Sequence, residues 1–160
     1  MSFPYEKKTF RLLLGCLLIL VAVAFVADGP VASVRGLALL QTHASRLISD
    51  FTVIGGAGGA LLNAAVMGLL ALGLIRLSGT TMSGPTLAAV FTILGFSFFG
   101  KTPLNAAPIV LGVWVASRVA RRPFSAYILI ALFGTALGPL VSFQVAESGL
   151  QGMLALLAGA

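Results

Sequence analysis

Long apolar runs separated by short clusters of basic residues dominate this chain. Of its 160 residues, 59% are hydrophobic and only 9% are charged, and the mean hydropathy is +1.09. A soluble globular domain has roughly a quarter of its residues charged, so this chain could not cover itself with a polar surface. The sequence therefore predicts an all-α integral membrane protein whose partner is the lipid bilayer.

The number of membrane spans follows from the length that a bilayer requires, which is about 20 mostly apolar residues per helix. The predicted spans, about five in number, cover residues 12–27, 53–77, 82–99, 104–117 and 124–146. A partial sixth run covers residues 150–160. The first run also fits a cleavable signal peptide, with a basic start and a small-residue site at Ala22-Val23-Ala24. We favour an uncleaved helix, because further spans follow it.

The stretch 82–117 is nearly all apolar, yet it is interrupted by Gly-Lys-Thr-Pro-Leu-Asn at residues 100–105. Gly100 and Pro103 break helices, and Pro108 lies inside the second piece. Residues 104–117 are also short for a complete crossing. The pattern predicts either an ordinary outer turn followed by a short span, or broken, re-entrant helices that dip into the bilayer.

Residues 31–50 are too polar to span a membrane, but their apolar side chains recur at helical spacing. The polar members are Arg35, Gln41, His43, Arg46 and Asp50. An amphipathic helix that lies in the outer membrane interface fits this pattern best.

The net charge of +6 comes from scarce acids, four, more than from abundant bases, ten. The bases lie in clusters between apolar runs, as membrane topology requires, rather than in the stripe typical of nucleic-acid binding. A cytoplasmic N-terminus places Arg76 and the cluster at 118–122 inside, whereas Arg35, Arg46 and Lys101 fall outside. We therefore expect no nucleic-acid partner and a multi-pass protein of the bacterial inner membrane with its N-terminus in the cytoplasm.

The sequence offers little for covalent chemistry. Cys16 is the single cysteine and lies within the first apolar run, and no Cys/His spacing suggests a metal site. No Ser/His/Asp or Cys/His arrangement and no paired carboxylates fit a site in the membrane. We expect neither an enzyme nor a cofactor.

The tetrapeptide Leu-Asn-Ala-Ala occurs twice, at residues 62–65 and 104–107. Each copy follows a segment of the pattern Phe-Thr-[Val/Ile]-[Ile/Leu]-Gly, so residues 51–65 and 91–107 form a weak internal repeat. Transporters are often built from duplicated units with their sites where the copies meet. The alternative is coincidence, because Leu, Ala, Gly and Phe dominate the composition.

The two asparagines raise the question of a solute path. In hydrocarbon an amide must find a partner, so Asn63 and Asn105 either join helices or line a polar route. Lys101 is either solvated at an outer turn or a buried cation beside a broken helix. The candidate solute-binding residues are Asn63, Ser97, Lys101, Thr102 and Asn105. Phe96, Phe98 and Phe99 are candidates for a constriction, although packing is the favoured explanation for them.

Two pairs of glycines recur at the spacing that lets another helix approach closely. They are Gly55 with Gly59, and Gly134 with Gly138. The glycine-rich stretch at 55–59 lacks the Lys-Ser/Thr of a phosphate-binding loop.

Two motifs give the chain a family resemblance. They are Gly-Gly-Ala-Gly-Gly-Ala-Leu-Leu-Asn at residues 55–63, and Gly-Phe-Ser-Phe-Phe-Gly-Lys-Thr-Pro-Leu-Asn at residues 95–105, followed by Pro-Ile-Val-Leu-Gly-Val at 108–113. With them the chain resembles, from residue 34 to residue 145, a bacterial multi-spanning membrane family known as domain of unknown function 1576. The resemblance implies a membrane fold but no activity. Members of that family are longer and contain a second related half, so these residues would correspond to the first half.

The leading expectation is a membrane transporter or channel for a small polar solute, working as an oligomer or with a second half or partner subunit. A neutral solute is favoured because few charges lie within the apolar runs. One alternative is a solute-binding subunit of a multi-component transporter, with Arg118, Arg121 and Arg122 as a docking patch. The other is a membrane scaffold without transport, in which the asparagines only hold helices together.

Overall fold

The computed structural model describes residues 4–43 and 49–144, and all regular structure in these ranges is helical, as predicted. The helices are α1 (Pro4–Asp28), α2 (Pro30–Thr42), α3 (Phe51–Leu77), α4 (Gly84–Phe96), α5 (Pro103–Val119) and α6 (Ile128–Gln144). A 3-10 turn, Phe124–Ala126, precedes α6, and another, Thr135–Leu137, lies within it. The run predicted at 150–160 lies outside the described residues.

Two of these helices are long and apolar enough, by length and composition, to cross a membrane. They are Glu6–Asp28 within α1, and α3, Phe51–Leu77. The remaining apolar helices, Gly84–Phe96, Pro103–Val119 and Ile128–Gln144, are shorter. The helix predicted at 82–99 therefore has only 13 residues, because the chain turns at Ser97. The amphipathic helix predicted at 31–50 ends at Thr42, and residues 44–48 are not described.

Helices α1, α3, α4 and α6 supply most of the core, and both α1 and α4 run antiparallel to α3. Leu17 of α1 and Leu94 of α4 both pack against Gly68, near the middle of α3. Lys7, near the start of α1, and Arg76, at the end of α3, line the same cavity of 460 Å³. We call this end of the bundle the basic end.

Helix α3 is broken at Gly56, which has φ 74° and ψ 166°. A positive φ of this kind favours glycine, which has no Cβ to clash with the backbone. Just beyond the break, the backbone N–H of Gly58 donates to the Asp28 carboxylate at 2.6 Å. Asp28, at the end of α1, thus caps the long part of α3, residues 57–77.

The break folds the first turn of α3 back on the rest of the helix. The backbone N–H of Phe51 donates to the carbonyl oxygen of Phe98 at 3.1 Å. The side chain of Asn63 donates to the carbonyl oxygen of the adjacent Ser97 at 2.8 Å. In a straight helix, residues 51 and 63 would lie about 18 Å apart along the axis, too far for both contacts. Residues 51–55 therefore run separately from residues 57–77.

The returning turn packs against α2, and together they make a short hairpin that we call hairpin A, residues 30–43 and 49–55. Its tip, as far as the structure describes it, is residues 42–43 and 49–51. Leu40 and Phe51 belong to one buried apolar cluster. A Cβ on Gly55 would lie 2.9 Å from the Leu40 side chain, and one on Gly59 would lie 2.9 Å from the backbone of Gly36. The backbones meet because these positions lack side chains. Hairpin A starts beside Asp28, at the end of the bundle opposite the basic end.

Helices α4 and α5 make a second hairpin, hairpin B, residues 84–119. Helix α4 rises from the basic end and stops at Phe96, and residues 97–102 form the tip. Helix α5 then returns, with α6 antiparallel beside it, because Asn105 faces Gly138 and Ile109 faces Gly134. The two hairpins thus enter the bundle from opposite ends.

Candidate functional site

The tips of hairpins A and B meet beside Asn63, and this meeting point is the candidate site. Phe51, which starts the returning turn of hairpin A, bonds to Phe98 in the tip of hairpin B at 3.1 Å. Phe98 also packs on the apolar cluster of Leu40, Phe51 and Ala60. The site therefore joins backbone that has left helical geometry to an otherwise helical bundle.

The side chain of Asn63 is fully buried and uses all of its polar atoms. Its Nδ2 donates to the carbonyl oxygens of Ser97 at 2.8 Å and Lys101 at 2.9 Å. Its Oδ1 accepts from Nε2 of Gln41, in α2, at 3.4 Å. One carboxamide thus connects α3 to both hairpins.

Asn105, the second asparagine of the repeat, also forms hydrogen bonds with the backbone of the tip of hairpin B. Its Nδ2 donates to the carbonyl oxygen of Gly100 and to the hydroxyl of Ser142 in α6, each at 2.8 Å. Its Oδ1 accepts from the backbone N–H of Thr102 at 2.9 Å. Between them, the two asparagines bind three carbonyl oxygens of the tip, which a helix would have paired internally.

The tip itself is buried although it is polar. Ser97, Lys101 and Thr102 are exposed by 0%, 0% and 2% of their surfaces. Gly100 has φ 97°, a backbone conformation that favours glycine. Thr102 is the N-cap of α5 and forms a capping box with Asn105, and Pro103 occupies the first helical position. All five predicted solute-binding residues therefore lie together.

Lys101 is the charged member of the site. Its Nζ is buried and has no hydrogen-bond partner among the described residues. Nζ lies 6.0 Å from the centroid of the Phe96 ring. The other orphaned buried side-chain atom in the described part of the chain is Oε1 of Gln41.

The three phenylalanines of the tip do not converge on one point. Phe98 points inward to the apolar cluster, whereas Phe96 and Phe99 are 43% and 50% exposed. The described residues thus contain no ring of phenylalanines around Ser97. A constriction at these positions stays a prediction that requires a partner surface against Phe96 and Phe99.

Of the remaining predicted residues, the two glycines of α6 lie at contacts between helices. Gly134 packs on Ile109, and a Cβ on Gly138 would lie 2.5 Å from Oδ1 of Asn105. Pro108 lies inside α5, and its side chain is exposed. Next to this region, a cavity of 340 Å³ between α3 and hairpin B has an almost wholly apolar lining, so it does not suit a polar solute.

Three residues of the site region were missed from sequence. Gln41 and Ser142 complete the hydrogen bonds of the asparagines, and Asp28 caps α3 after the break. Gln41 was interpreted as part of a solvated face, because its burial depends on hairpin A folding against α3. Asp28 gave no local signal, because the N–H group from which it accepts lies 30 residues further along the chain.

The site contains groups that can bind a polar molecule. Across residues 4–43 and 49–144, no group of three or more His, Cys, Asp or Glu side chains could hold a metal ion. A buried cation, an unpaired amide oxygen and a helix N-terminus are groups that bind a polar molecule.

The comparison with protein families finds a match over residues 30–160 to a model described as a protein of unknown function (DUF1576). The match begins at the first residue of α2 and includes both hairpins. Neither the curated proteins nor the solved structures contain a match to this chain.

Proposed function

The chain belongs to the DUF1576 family of proteins of unknown function, and we propose that it is a membrane transport protein for a small polar solute. The solute site is the meeting point of the tips of hairpins A and B. One observation carries the proposal: two helical hairpins enter the bundle from opposite ends, and the start of α3 in hairpin A meets the non-helical tip of hairpin B at a buried, polar cluster.

The tip of hairpin B has non-helical backbone that is buried in the protein. Inside a bilayer, non-helical backbone is tolerated only where it is buried in protein or lines a water-filled cavity. Secondary transporters use this exception, with discontinuous helices that form a site near the middle of the membrane. The carbonyl groups of Ser97, Gly100 and Lys101, held by Asn63 and Asn105, fit such an arrangement.

Helix lengths support a position for the tip of hairpin B within the hydrocarbon core of the membrane. Helix α4 has 13 residues and rises about 20 Å from the basic end. The hydrocarbon core of a bilayer is about 30 Å thick. In our proposal α1 and α3 cross the membrane, and hairpins A and B are re-entrant, so that the tip of hairpin B lies within the core. This adopts the re-entrant alternative for residues 82–117 and replaces the interfacial position predicted for α2.

The orientation is proposed from the distribution of positive charge. Lys7, Arg11 and Arg76 line one cavity at the basic end. Helix α5 returns towards the same end and carries Arg118 in its last turn. Cytoplasmic loops carry the excess of Lys and Arg. We therefore assign the basic end and the N-terminus to the cytoplasmic side of a bacterial inner membrane.

The exposed phenylalanines favour a partner in the membrane. Phe96 and Phe99 are half-exposed beside a polar tip, where a second copy of the chain or a second half of a longer protein would complete a path. The other candidates, a binding subunit of a multi-component transporter and a scaffold without transport, use the same contacts. They differ in flux: the scaffold conducts nothing, and the subunit conducts only with its energising partner.

The test is solute flux through proteoliposomes that contain the full chain. Swelling would be followed by light scattering with urea, glycerol, acetamide and lactamide. Asn63→Leu should abolish solute-selective flux because it releases the tip. Arg35→Met, a change at an exposed position on α2, should leave flux unchanged. Equal flux in protein-containing and empty liposomes for every solute would contradict the proposal that the chain transports a solute without a partner protein.

A further inference from the structure

The cavity at the basic end collects charged groups that do not neutralise one another. We call it the basic cavity. It has a volume of 460 Å³ and lies between the start of α1 and the end of α3. Its positive groups are Lys7, Arg11 and Arg76, and its carboxylate is Glu6. Three positive charges against one negative charge leave an excess of two positive charges in one space.

The positive charges reach this space from two helices. Lys7 and Arg11 are four residues apart on α1, and Arg76 lies in the last turn of α3. The cavity is comparable in width with the screening length of physiological salt, about 8 Å, so the three charges repel one another. In the part of the chain that the structure describes, none of the three forms an ion pair. An anion in the cavity would offset this repulsion.

The start of α1 adds to the positive potential. Glu6 lies in the first turn of α1, and the N-terminus of a helix carries a partial positive charge that favours anions over cations. Lys7, the next residue, is therefore a cation at the end of a helix where a cation is unfavourable. Arg76 differs, because a cation in the last turn of α3 is favourable on its own.

The rest of the basic cavity is apolar. Phe10, Leu14, Ile75 and Met82 line it together with the charged groups. A soluble phosphate would leave this apolar surface without a partner, whereas a phospholipid carries glycerol and acyl carbons directly beside its phosphate. Both α1 and α3 are candidate membrane spans, so a cavity between their ends adjoins the lipid.

We propose that the basic cavity binds a phospholipid with an anionic headgroup, its phosphate on Arg11 and Arg76 and its first acyl carbons against Phe10 and Leu14. A guanidinium group binds phosphate oxygens through two parallel hydrogen bonds. Basic pockets between transmembrane helices on the cytoplasmic side are known binding places for anionic headgroups. The inference goes beyond the proposed function, because it concerns how the chain is held in its membrane and does not require solute transport.

The test measures which lipid the full chain binds. The purified chain in dodecyl maltoside would be titrated with dioleoylphosphatidylglycerol, which has a net negative charge. The comparison lipid is dioleoylphosphatidylcholine, which has the same acyl chains and no net charge. Native mass spectrometry gives the dissociation constant of the first bound lipid. Phosphatidylglycerol should bind at least about tenfold more tightly, because the excess positive charge of the cavity repels the choline ammonium group.

Variants distinguish the basic cavity from the general positive charge of this end of the bundle. Arg11→Gln and Arg76→Gln should each weaken binding of phosphatidylglycerol at least about fivefold, because each removes charge-assisted hydrogen bonds. Both side chains are exposed, so the variants should keep the fold. Lys8→Gln is the matched control, since Lys8 is exposed and adjoins Lys7 but does not line the cavity. It should change the affinity by less than about twofold.

Three results would overturn the inference. Equal affinity for the two lipids would remove the selectivity for an anion. Equal losses in Lys8→Gln and Arg76→Gln would show that surface charge, and not the basic cavity, attracts the lipid. Displacement of bound phosphatidylglycerol by millimolar glycerol 1-phosphate would make a soluble phosphate ester the ligand instead of a lipid. The flux test of the proposed function is independent of all three results, so the two failures can be told apart.

Discussion

The carboxamide nitrogen of Asn63 donates a hydrogen bond to the carbonyl oxygen of Lys101, 38 residues further along the chain, at 2.9 Å. This contact holds the tip of hairpin B against the middle of the bundle. It explains why an asparagine follows Leu62 in an apolar helix: the side chain supplies donors to a backbone that has left the helix. Asn105 does the same for Gly100.

Asn63→Leu is expected to lower the free energy of unfolding by about 2–4 kcal/mol. The change leaves two buried carbonyl groups without donors, and each such group costs about 1–3 kcal/mol. Unfolding in mixed detergent, followed by circular dichroism, measures the difference. Thr92→Val is the control, since Thr92 bonds only within its own helix on the outer face. Equal stability of the two variants would contradict the role given to Asn63.

Gly36→Ala is expected to destabilise the protein by about 1–3 kcal/mol, as overpacking usually does. A Cβ at this position would lie 3.0 Å from the Cα of Gly59, so α2 would have to move away from α3. Gly112→Ala is the matched control, because nothing lies within 4 Å of its Cβ. It should be neutral or slightly stabilising. If both variants melted alike, α2 would not pack on α3 as described.

Gly56→Ala tests the break in α3 separately. A residue with a side chain at φ 74° costs about 1–3 kcal/mol in backbone strain. Gly73→Ala, in the helical part of α3 and with open space around it, should instead gain up to about 1 kcal/mol. Thermal unfolding of the two variants in the same detergent gives the comparison. A continuous α3 would make the two substitutions equally favourable.

Lys101→Met is expected to raise the free energy of unfolding by about 2 kcal/mol, because a lysine within the bilayer costs roughly 2.5–3.5 kcal/mol on insertion scales. Arg35→Met, at an exposed position, should change it by no more than about 0.5 kcal/mol. Loss of stability in Lys101→Met would mean that the ammonium group has a partner that holds the fold together. A gain in stability would show that the buried ammonium group does not hold the fold together.

The sequence predicted the helical class and the residues of the site better than it predicted their arrangement. Paired asparagines and a Gly-Lys-Thr-Pro interruption in apolar surroundings indicated buried polar groups, and Ser97, Lys101, Thr102 and both asparagines do lie together. The break at Gly56 was missed, because it falls inside an apolar run that continues on both sides.

Hairpin A was missed for a related reason. Residues 31–50 have an amphipathic pattern, and from sequence their polar side chains face solvent. In the structure Gln41 and Ser33 face protein instead: Gln41 bonds to Asn63, and Ser33 bonds to the carbonyl oxygen of Ala24. Such pairs between distant segments depend on the close approach at Gly36 and Gly59. The Gly55/Gly59 spacing predicted that a helix approaches there, but no local pattern identified α2 as that helix.

The central claim is that the tip of hairpin B lies inside the membrane, and cysteine labelling at Phe99 tests it most directly. Phe99→Cys would be made in a Cys16→Ala background and exposed to a membrane-impermeant maleimide in intact cells and in inverted vesicles. Val31→Cys, at the exposed start of α2, and Arg122→Cys, beyond α5, serve as controls for the two sides. We expect Phe99→Cys to react at least about tenfold more slowly than both controls, because a thiol does not ionise in apolar surroundings. Rapid labelling of Phe99→Cys from the outside, at the rate of Val31→Cys, would make residues 97–102 an ordinary outer loop and would contradict the account.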